Sequence, residues 1–444
     1  MEFSNLFFLY LFLPVAVSVY FLAPGMRLKN GVLILFSLLF YCFSRPIYVP
    51  LLIVLVLINH YVPKLIGNRK ASMLLTIGAD LGTLIFFKIS SDIPFPMGIS
   101  FYIFSLVTYQ VDRYRGAEED TADLWELLLF VSFFPKMVMG PIVRYSELGP
   151  QIRDRNVEPE GIFRGAFRFV MGLGKKVLLA DPLFRIYEQL GSHSSWIAPW
   201  VGGLAFMLYI FFEFSGYGDM AVGMGRIFGF SLPENFCRPY TATSVRAFWR
   251  RWHISLGQFF RSYVYIPLGG NRRGLLRQIC NLFLVWLLTG LWHGINGTFV
   301  LWGLYFFVLV LGERLLSARG KCLPRILSGG ITFLLVYFGW IIFAAEDLPT
   351  LAGTLSRMVS FRMGDIEPAL LVISNRLPLL LLGFLLAIPA PRWKEKLQLW
   401  GAGLCLRRKK WYVFTQLLLL IAVLVLCTAV LMGTASKPSM YAGF

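Results

Sequence analysis

Long apolar stretches recur along the whole chain and constrain its fold more than any other feature. They lie near 5–24, 31–44, 48–66, 72–88, 95–112, 124–140, 197–214, 278–293, 298–312, 326–345, 369–390 and 413–433. A transmembrane helix needs about 20 such residues, so the chain has room for roughly ten to twelve spans. Several stretches are short or interrupted by Gly and Pro, which predicts re-entrant or interfacial helices as well. We therefore predict an all-α, polytopic integral membrane protein.

The overall composition excludes the other classes of protein. Of the 444 residues, 57% are apolar and 15% are charged, whereas soluble domains carry about 25% charged residues. So many apolar side chains cannot be hidden in the core of a water-soluble protein of this length. A soluble enzyme, a disordered chain and a collagen-like chain are therefore excluded.

The distribution of charge predicts how the chain lies in the membrane. The 42 Lys and Arg residues exceed the 24 Asp and Glu residues, for a formal charge of +18. In a membrane protein such an excess holds the cytoplasmic loops in place, so no nucleic-acid partner is expected. The connection at 346–368 mixes both signs and is expected on the outside. We predict a multi-pass protein of the cell (plasma or inner) membrane, in contact with membrane lipid.

Cysteine and histidine spacing predicts no metal site. The six cysteines are scattered singly, without CxxC or CxxH spacing, and no two histidines have zinc-ligand spacing. The cysteines are interpreted as small apolar packing residues rather than a disulfide framework.

The segment RAFWRRWHISLGQFFRSYVYI at 246–266 is basic and aromatic at once. If it forms one helix of about 100° per residue, a single narrow stripe holds Arg246, Arg250, His253, Gly257 and Arg261. Aromatic and aliphatic residues occupy the opposite face, as in helices at a membrane surface. Two interpretations stay open for the arginines: contact with lipid phosphates, or binding of a phosphate-bearing cytosolic substrate.

A Gly-Gly turn with two further arginines follows directly, in PLGGNRRG at 267–274. It lacks the Walker spacing of a nucleotide-binding loop. Under the substrate interpretation, the residues that bind the donor are Arg246, Arg250, Arg251, Arg261, Arg272 and Arg273.

His293 lies in LLTGLWHGING, at the far end of an apolar stretch that begins after Arg277. Counted from the cytoplasm, this position is deep in the bilayer or near its outer side. Ionisable residues at such depth are costly and are functional candidates by default. The alternative is a neutral histidine that hydrogen-bonds to a neighbouring helix.

Seven motifs together resemble the membrane-bound O-acyltransferase (MBOAT) family, and in particular its alginate O-acetyltransferase branch. The resemblance covers about 96–302. In order along the chain, the motifs are PMGISFYIFSLVTYQVDRYRG, FFPKMVMGPIVRY, GLGKKVLLAD, YIFFEFSGYGDMAVGMGRIFGF, PENFCRPY, FWRRWHISLGQFFRSYVYIPLGGNRRG and TGLWHG.

This resemblance implies a helical bundle with a funnel across the membrane. The family's catalytic histidine corresponds to His293, and its second histidine, in the RRWH segment, corresponds to His253. We expect one membrane-embedded acyltransferase domain over 1–444, with N-terminal spans at 1–90, an MBOAT core at 91–312 and C-terminal spans at 313–444.

The resemblance also implies an activity and its partners. We expect an O-acetyltransferase that takes acetyl from cytoplasmic acetyl-CoA, a donor substrate, with no permanently bound cofactor. The acceptor is a hydroxyl of an exported cell-surface polysaccharide, reached directly or through an extracytoplasmic SGNH-like acetyltransferase, beside the export machinery. The alternatives are D-alanyl transfer to teichoic acid from a carrier protein, transport of a lipid-linked glycan, and a purely structural subunit.

Overall fold

The computed structural model describes residues 1–90, 92–116, 122–317, 324–388 and 391–433, without the side chains of 317, 391–410 and 412. Within these ranges the chain forms α-helices with a few short π- and 3₁₀-helical turns, and no β-strand. The all-α class predicted from the sequence is confirmed.

In the first part of the chain, a proline sets the end of one helix and a capping side chain the start of another. They are α1 (Leu13–Leu22), α2 (Gly25–Cys42), α3 (Val49–Leu65), α4 (Arg69–Ile89) and α5 (Ile99–Tyr114). Helix α1 ends at Ala23, which is extended because the following Pro24 disfavours a helical conformation there. The side chain of Asn68 accepts hydrogen bonds from the backbone N–H groups of Lys70 and Ala71, and so caps the start of α4.

The middle of the chain is arranged around one long buried helix. Its helices are α6 (Leu124–Ser132), α7 (Phe134–Met137), α8 (Tyr145–Arg153), α9 (Pro159–Gly174), α10 (Asp181–Gly191) and α11 (Ile197–Ile227). Helix α11 has 31 residues and is buried over most of its length. Glycines let α9 approach it closely, since a Cβ atom on Gly172 would lie 2.6 Å from the carbonyl oxygen of Gly216.

The last part of the chain contains the segment for which one amphipathic helix was predicted. Its helices are α12 (Val245–Trp249), α13 (Ile254–Phe260), α14 (Leu275–His293), α15 (Gly297–Ser317), α16 (Arg325–Ala344), α17 (Leu348–Val359), α18 (Ile366–Ala387) and α19 (Pro391–Gly433). The prediction of one continuous helix over 246–266 is wrong. His253 has a φ of 43°, which an α-helix cannot contain, so the chain turns between α12 and α13 and the single stripe of arginines and histidine does not form.

Nine helices in the described ranges are long and apolar enough to cross a membrane. They are Gly25–Cys42, Pro46–Leu65, Arg69–Ile89, Ile197–Ile227, Leu275–His293, Gly297–Leu316, Arg325–Ala344, Ile366–Ala387 and Val413–Gly433. A shorter apolar helix, Phe8–Leu22, comes before them. The apolar stretches near 95–112 and 124–140 form the shorter helices α5, α6 and α7. The polytopic membrane class is therefore confirmed.

Three connections meet at one end of the bundle. The side chain of Asn296, just after α14, donates a hydrogen bond to the carbonyl of Glu346, just after α16. Asp365, before α18, accepts a hydrogen bond from the backbone N–H of Ser194 at 2.7 Å, in the connection before α11. The end of α14 that carries His293 therefore lies on the same side as the connection at 346–368, which the charge pattern predicts to be outside.

Candidate active site

His293 is the last residue of α14 and is buried within the bundle, with 7% of its surface exposed. Helix α14 ends there because Gly294 is fully extended, with φ 170° and ψ 162°. The centroid of the imidazole lies 4.6 Å from the ring of Trp292, 5.1 Å from Trp302 and 5.0 Å from Phe343. The histidine at the end of the span thus lies in an aromatic, water-poor environment.

His253 occupies the turn between α12 and α13 in a left-handed backbone conformation. This conformation is uncommon outside glycine, and strained backbone concentrates at functional sites. Asn235 holds the turn: its carbonyl accepts the N–H of Ile254 at 3.0 Å, and its Oδ1 accepts the N–H of Ser255 at 3.1 Å. The imidazole is 3% exposed, and neither ring nitrogen has a hydrogen-bond partner in the described part of the chain. Both ring nitrogens are therefore available for a hydrogen bond to a bound ligand.

One cavity joins the two histidines, which are far apart in the sequence. Its wall is completed by Phe214, Trp249, Trp252, Leu256, Thr289, Trp302 and Trp340. The ring of Trp292 packs against both histidines, with its centroid 4.6 Å from that of His293 and 6.1 Å from that of His253. The cavity leaves about 10 Å³ for the centre of a water-sized molecule, which is room for about one water. The structure therefore brings together both histidines singled out by the sequence.

The walls of this cavity favour neutral imidazole rings. A charged group is costly to bury among apolar and aromatic side chains without a partner. A neutral imidazole can accept a proton on one nitrogen and donate one from the other. The pair can thus exchange protons with a small reacting group held between them. Among the described residues, no group of three or more His, Cys, Asp or Glu side chains is arranged to hold a metal ion.

Three of the six arginines predicted to bind the donor line a second, larger cavity. Arg261, Arg272 and Arg273 lie around it together with Tyr265 and Asn271. Its volume is about 490 Å³. Three guanidinium groups around one opening suit a ligand with several phosphates.

The loop that carries these arginines is tied to α14. The side chain of Asn281 donates hydrogen bonds to the carbonyls of Leu268 and Gly270, both at 3.2 Å. Gly269 has a φ of 105°, and a Cβ atom there would lie 3.0 Å from the Cδ of Arg273. Glycine is therefore required for the turn that brings Arg273 to the cavity.

The other three predicted arginines lie elsewhere. The Nε atom of Arg246 lies 3.6 Å from a carboxylate oxygen of Glu313. Arg251 donates a hydrogen bond to the hydroxyl of Thr241 at 3.1 Å. Arg250 is exposed. None of these three lines the cavity formed by Arg261, Arg272 and Arg273 in the described part of the chain.

Helix α14 connects the two cavities. Its first turns hold the arginine loop through Gln278 and Asn281, and its last residue is His293. At 1.5 Å per residue, a helix of 19 residues is about 28 Å long. This is close to the thickness of the hydrocarbon core of a bilayer, about 30 Å. The arginine loop is bonded to Gln278 and Asn281, whereas Thr289 and His293 line the histidine cavity, so the two cavities are separated along α14 by about 12–22 Å.

The tryptophans are the site residues that sequence reasoning missed. Trp302 and Trp340 come from α15 and α16, far from the histidine motifs, and nothing in their spacing separates them from the other tryptophans of the chain. Trp249 and Trp252 carry one available signal, because they flank the arginines of the RRWH segment beside His253.

Comparisons with known proteins find one matching family and several similar proteins. A family model described as MBOAT, membrane-bound O-acyltransferase family, matches residues 35–322. The chain is 37% identical to a probable alginate O-acetylase (AlgI) of Pseudomonas fluorescens over 380 residues, covering 81% of this chain and 76% of that protein. It is 33% identical to the peptidoglycan O-acetyltransferase of Helicobacter pylori, covering 80% and 79% of the two chains. A teichoic acid D-alanyltransferase of Bacillus subtilis is 28% identical, covering 56% of this chain and 69% of that protein.

Proposed function

Because this chain belongs to the membrane-bound O-acyltransferase family, we propose that it moves acetyl from cytoplasmic acetyl-CoA across the membrane to hydroxyls of an exported cell-surface polysaccharide. The chain is a multi-pass protein of the inner membrane and an O-acyltransferase. The O-acetyltransferases among its relatives support a polysaccharide as the final acceptor. The acetyl-CoA donor and the immediate acceptor are the new parts of the proposal.

The observation that carries the proposal is the pair of cavities at the two ends of α14. The arginine cavity is open enough to hold the phosphates of coenzyme A, and guanidinium forks bind phosphate oxygens in pairs. The histidine cavity is narrow and aromatic, and it would widen from room for about one water to admit an acetyl group on a thin thioester arm. A donor that spans this distance would deliver acetyl from one side of the membrane to a base near the other.

His293 would act as the general base of the reaction. It takes the proton of the acceptor hydroxyl while the hydroxyl oxygen attacks the thioester carbonyl carbon. The carbon–sulfur bond then breaks, and the leaving thiolate takes a proton to give free coenzyme A. General base catalysis of this kind is typically worth about 10²–10⁴ in rate. His253, which also lines this cavity, is the second group able to move a proton there.

The immediate acceptor would be presented at the end of the bundle that carries His293. The connections after α14 and after α16 meet there. An extracytoplasmic SGNH-like acetyltransferase could offer its serine at this end and pass the acetyl group to the polymer. Direct transfer to the polymer requires the same geometry.

The test is the acetyl ester content of cell-surface polysaccharides in a strain that lacks this protein. The strain is complemented with wild type, His293→Ala or His60→Ala at equal membrane abundance. His60 is a matched control because it is also buried, at 6% exposed, but lies in α3 outside the cavity wall. We expect wild type and His60→Ala to restore the esters and His293→Ala to leave them absent.

Other outcomes would identify the alternatives. If His293→Ala restores the esters fully, His293 is not catalytic. If the esters never depend on this protein and alanyl esters do, the D-alanyl branch is the better assignment, and binding of a carrier protein rather than coenzyme A should follow. If neither ester depends on it, a transport or structural role replaces the enzyme proposal for this substrate.

A further inference from the structure

Four tryptophans around the histidines carry buried indole N–H groups with no hydrogen-bond acceptor within the described residues. They are Trp249, Trp292, Trp302 and Trp340. A buried donor that lacks its hydrogen bond costs about 1–3 kcal/mol, and such groups are rare in native proteins. A cluster of them at one place therefore indicates that a bound group supplies the acceptor.

Trp302 and Trp340 are the two that fit this role best. Each is 1% exposed and lines the histidine cavity. The centroids of the two rings are 6.5 Å apart, and Trp302 lies 5.1 Å from the imidazole of His293. Both indole rings thus lie in the same cavity wall as the base, next to each other.

The rings of these two tryptophans are held firmly by other aromatic side chains. Trp302 packs edge-on against Phe306 at 5.3 Å and against Trp249 at 5.5 Å. Trp340 packs against Trp252 at 4.7 Å and against Phe343 at 5.6 Å. Donors fixed in advance are more effective in catalysis than mobile ones, because no reorganisation is needed during the reaction.

Among the described residues that line the cavity, Thr289 is the one with a hydroxyl side chain, and this hydroxyl already donates a hydrogen bond within the protein. Thr289 donates its hydroxyl proton to the carbonyl of Val285 at 2.7 Å. An acyl carbonyl oxygen has two lone pairs and accepts two hydrogen bonds. Two indole N–H groups therefore match the requirement of one carbonyl oxygen.

We propose that the indole N–H groups of Trp302 and Trp340 form the oxyanion hole for the thioester carbonyl during acetyl transfer. This inference rests on the proposed function. When the acceptor oxygen bonds to the carbonyl carbon, the π electrons move to the carbonyl oxygen, and the two indoles stabilise that negative charge. The electrons return as the carbon–sulfur bond breaks, the thiolate leaves as free coenzyme A after taking a proton, and the acetyl group stays on the acceptor.

The experiment measures initial rates of radiolabelled acetyl transfer from acetyl-CoA to envelope polysaccharide in membrane vesicles. The variants are Trp302→Phe and Trp340→Phe, which keep an aromatic ring and remove the N–H. The control is Trp286→Phe. Trp286 is also buried, at 8% exposed, and packs 6.2 Å from Trp302, but it is not part of the cavity wall. Rates are normalised to the amount of protein that elutes as a folded species in detergent.

We expect each cavity variant to lower kcat by about 10²-fold, the loss typical of one oxyanion donor. The KM for acetyl-CoA should stay within about twofold. Trp286→Phe should keep the wild-type kcat. If a phenylalanine variant fails to fold, benzothienylalanine at the same position replaces the N–H by sulfur with nearly the same shape, and the same loss of kcat is expected.

Two results would overturn the inference. Variants at 302 and 340 that retain the kcat of Trp286→Phe would show that these N–H groups do not act on the reacting carbonyl. A rise in KM with unchanged kcat would assign the indoles to donor binding instead. If wild-type vesicles transfer no acetyl from acetyl-CoA, the proposed function fails and the oxyanion hole fails with it.

Discussion

Gly290 of α14 and Gly303 of α15 face each other with no room for a side chain between the two helices. A Cβ atom on Gly290 would lie 2.5 Å from the carbonyl oxygen of Phe299, and one on Gly303 would lie 2.5 Å from that of Trp286. This close approach holds α14 against α15, and so sets the position of His293, on α14, relative to Trp302, on α15.

Gly303→Ala should therefore damage the histidine cavity without changing any residue in it. The added methyl group forces the helices apart, and overpacking of this kind costs about 1–3 kcal/mol. A displacement of about 1 Å at the reacting groups can lower the rate about 10²-fold. We expect such a loss in acetyl transfer per folded protein, measured in vesicles.

Gly312→Ala on the same helix provides the control, because no atom lies within 4 Å of a Cβ at that position. It should retain wild-type activity. Equal activity of the two alanine variants would mean that the contact between α14 and α15 does not set the geometry of the site.

Arg272→Ala should weaken donor binding. Arg272 lines the proposed phosphate cavity beside Arg261 and Arg273, and a hydrogen bond to a charged group is worth about 1.5–3 kcal/mol. We expect the KM for acetyl-CoA to rise about tenfold or more with kcat nearly unchanged. Added salt should raise the wild-type KM and affect the variant less.

The matched surface change is Arg164→Ala, since Arg164 is exposed and pairs with Glu160, outside both cavities. It should leave the KM unchanged. A tenfold rise in both variants would point to a general effect of lost positive charge rather than to a phosphate site.

Asp365→Asn should lower stability at neutral pH but not in acid. The hydrogen bond from Ser194, with a further contact from His193, holds the pKa of Asp365 below its ordinary value. Because the folded pKa is below the unfolded value of about 3.9, this carboxylate stabilises the fold above about pH 4. The contribution is lost as the pH falls below that point towards the folded pKa.

Thermal unfolding of the purified protein in detergent checks this prediction across a series of pH values. The gap in unfolding temperature between wild type and Asp365→Asn should be present at pH 7 and shrink below about pH 4. Glu367→Gln removes an exposed carboxylate from the same region and should show no such gap. A gap that is constant with pH would contradict the assignment.

The membrane class and the position of His293 could be predicted from sequence because they depend on local composition. A helix crosses the bilayer when about 20 consecutive residues are apolar, whatever the rest of the chain does. The stretch that ends at His293 does form a candidate span, Leu275–His293. The resemblance of the motifs to the MBOAT family predicted that His253 is the family's second histidine beside the catalytic His293.

One continuous helix over 246–266 was predicted from a local pattern, and the turn at His253 was missed. The turn at His253 is held by Asn235, through its carbonyl and its side chain. A hydrophobic period of 3.6 residues detects which residues share a helical face, but not a contact with a distant side chain that reverses φ at one position.

The sequence by itself determined that this chain is an all-α membrane protein, that its arginines cluster beside one span, and that a histidine ends that span. Only the tertiary structure decided which arginines share a cavity and that His253 and His293 lie on one wall of aromatic rings. The physical reason is that apolar stretches and charges act through their local environment, whereas a cavity is formed by side chains from separate helices. Its shape depends on close packing such as that of Gly290 against Gly303, which no local pattern encodes.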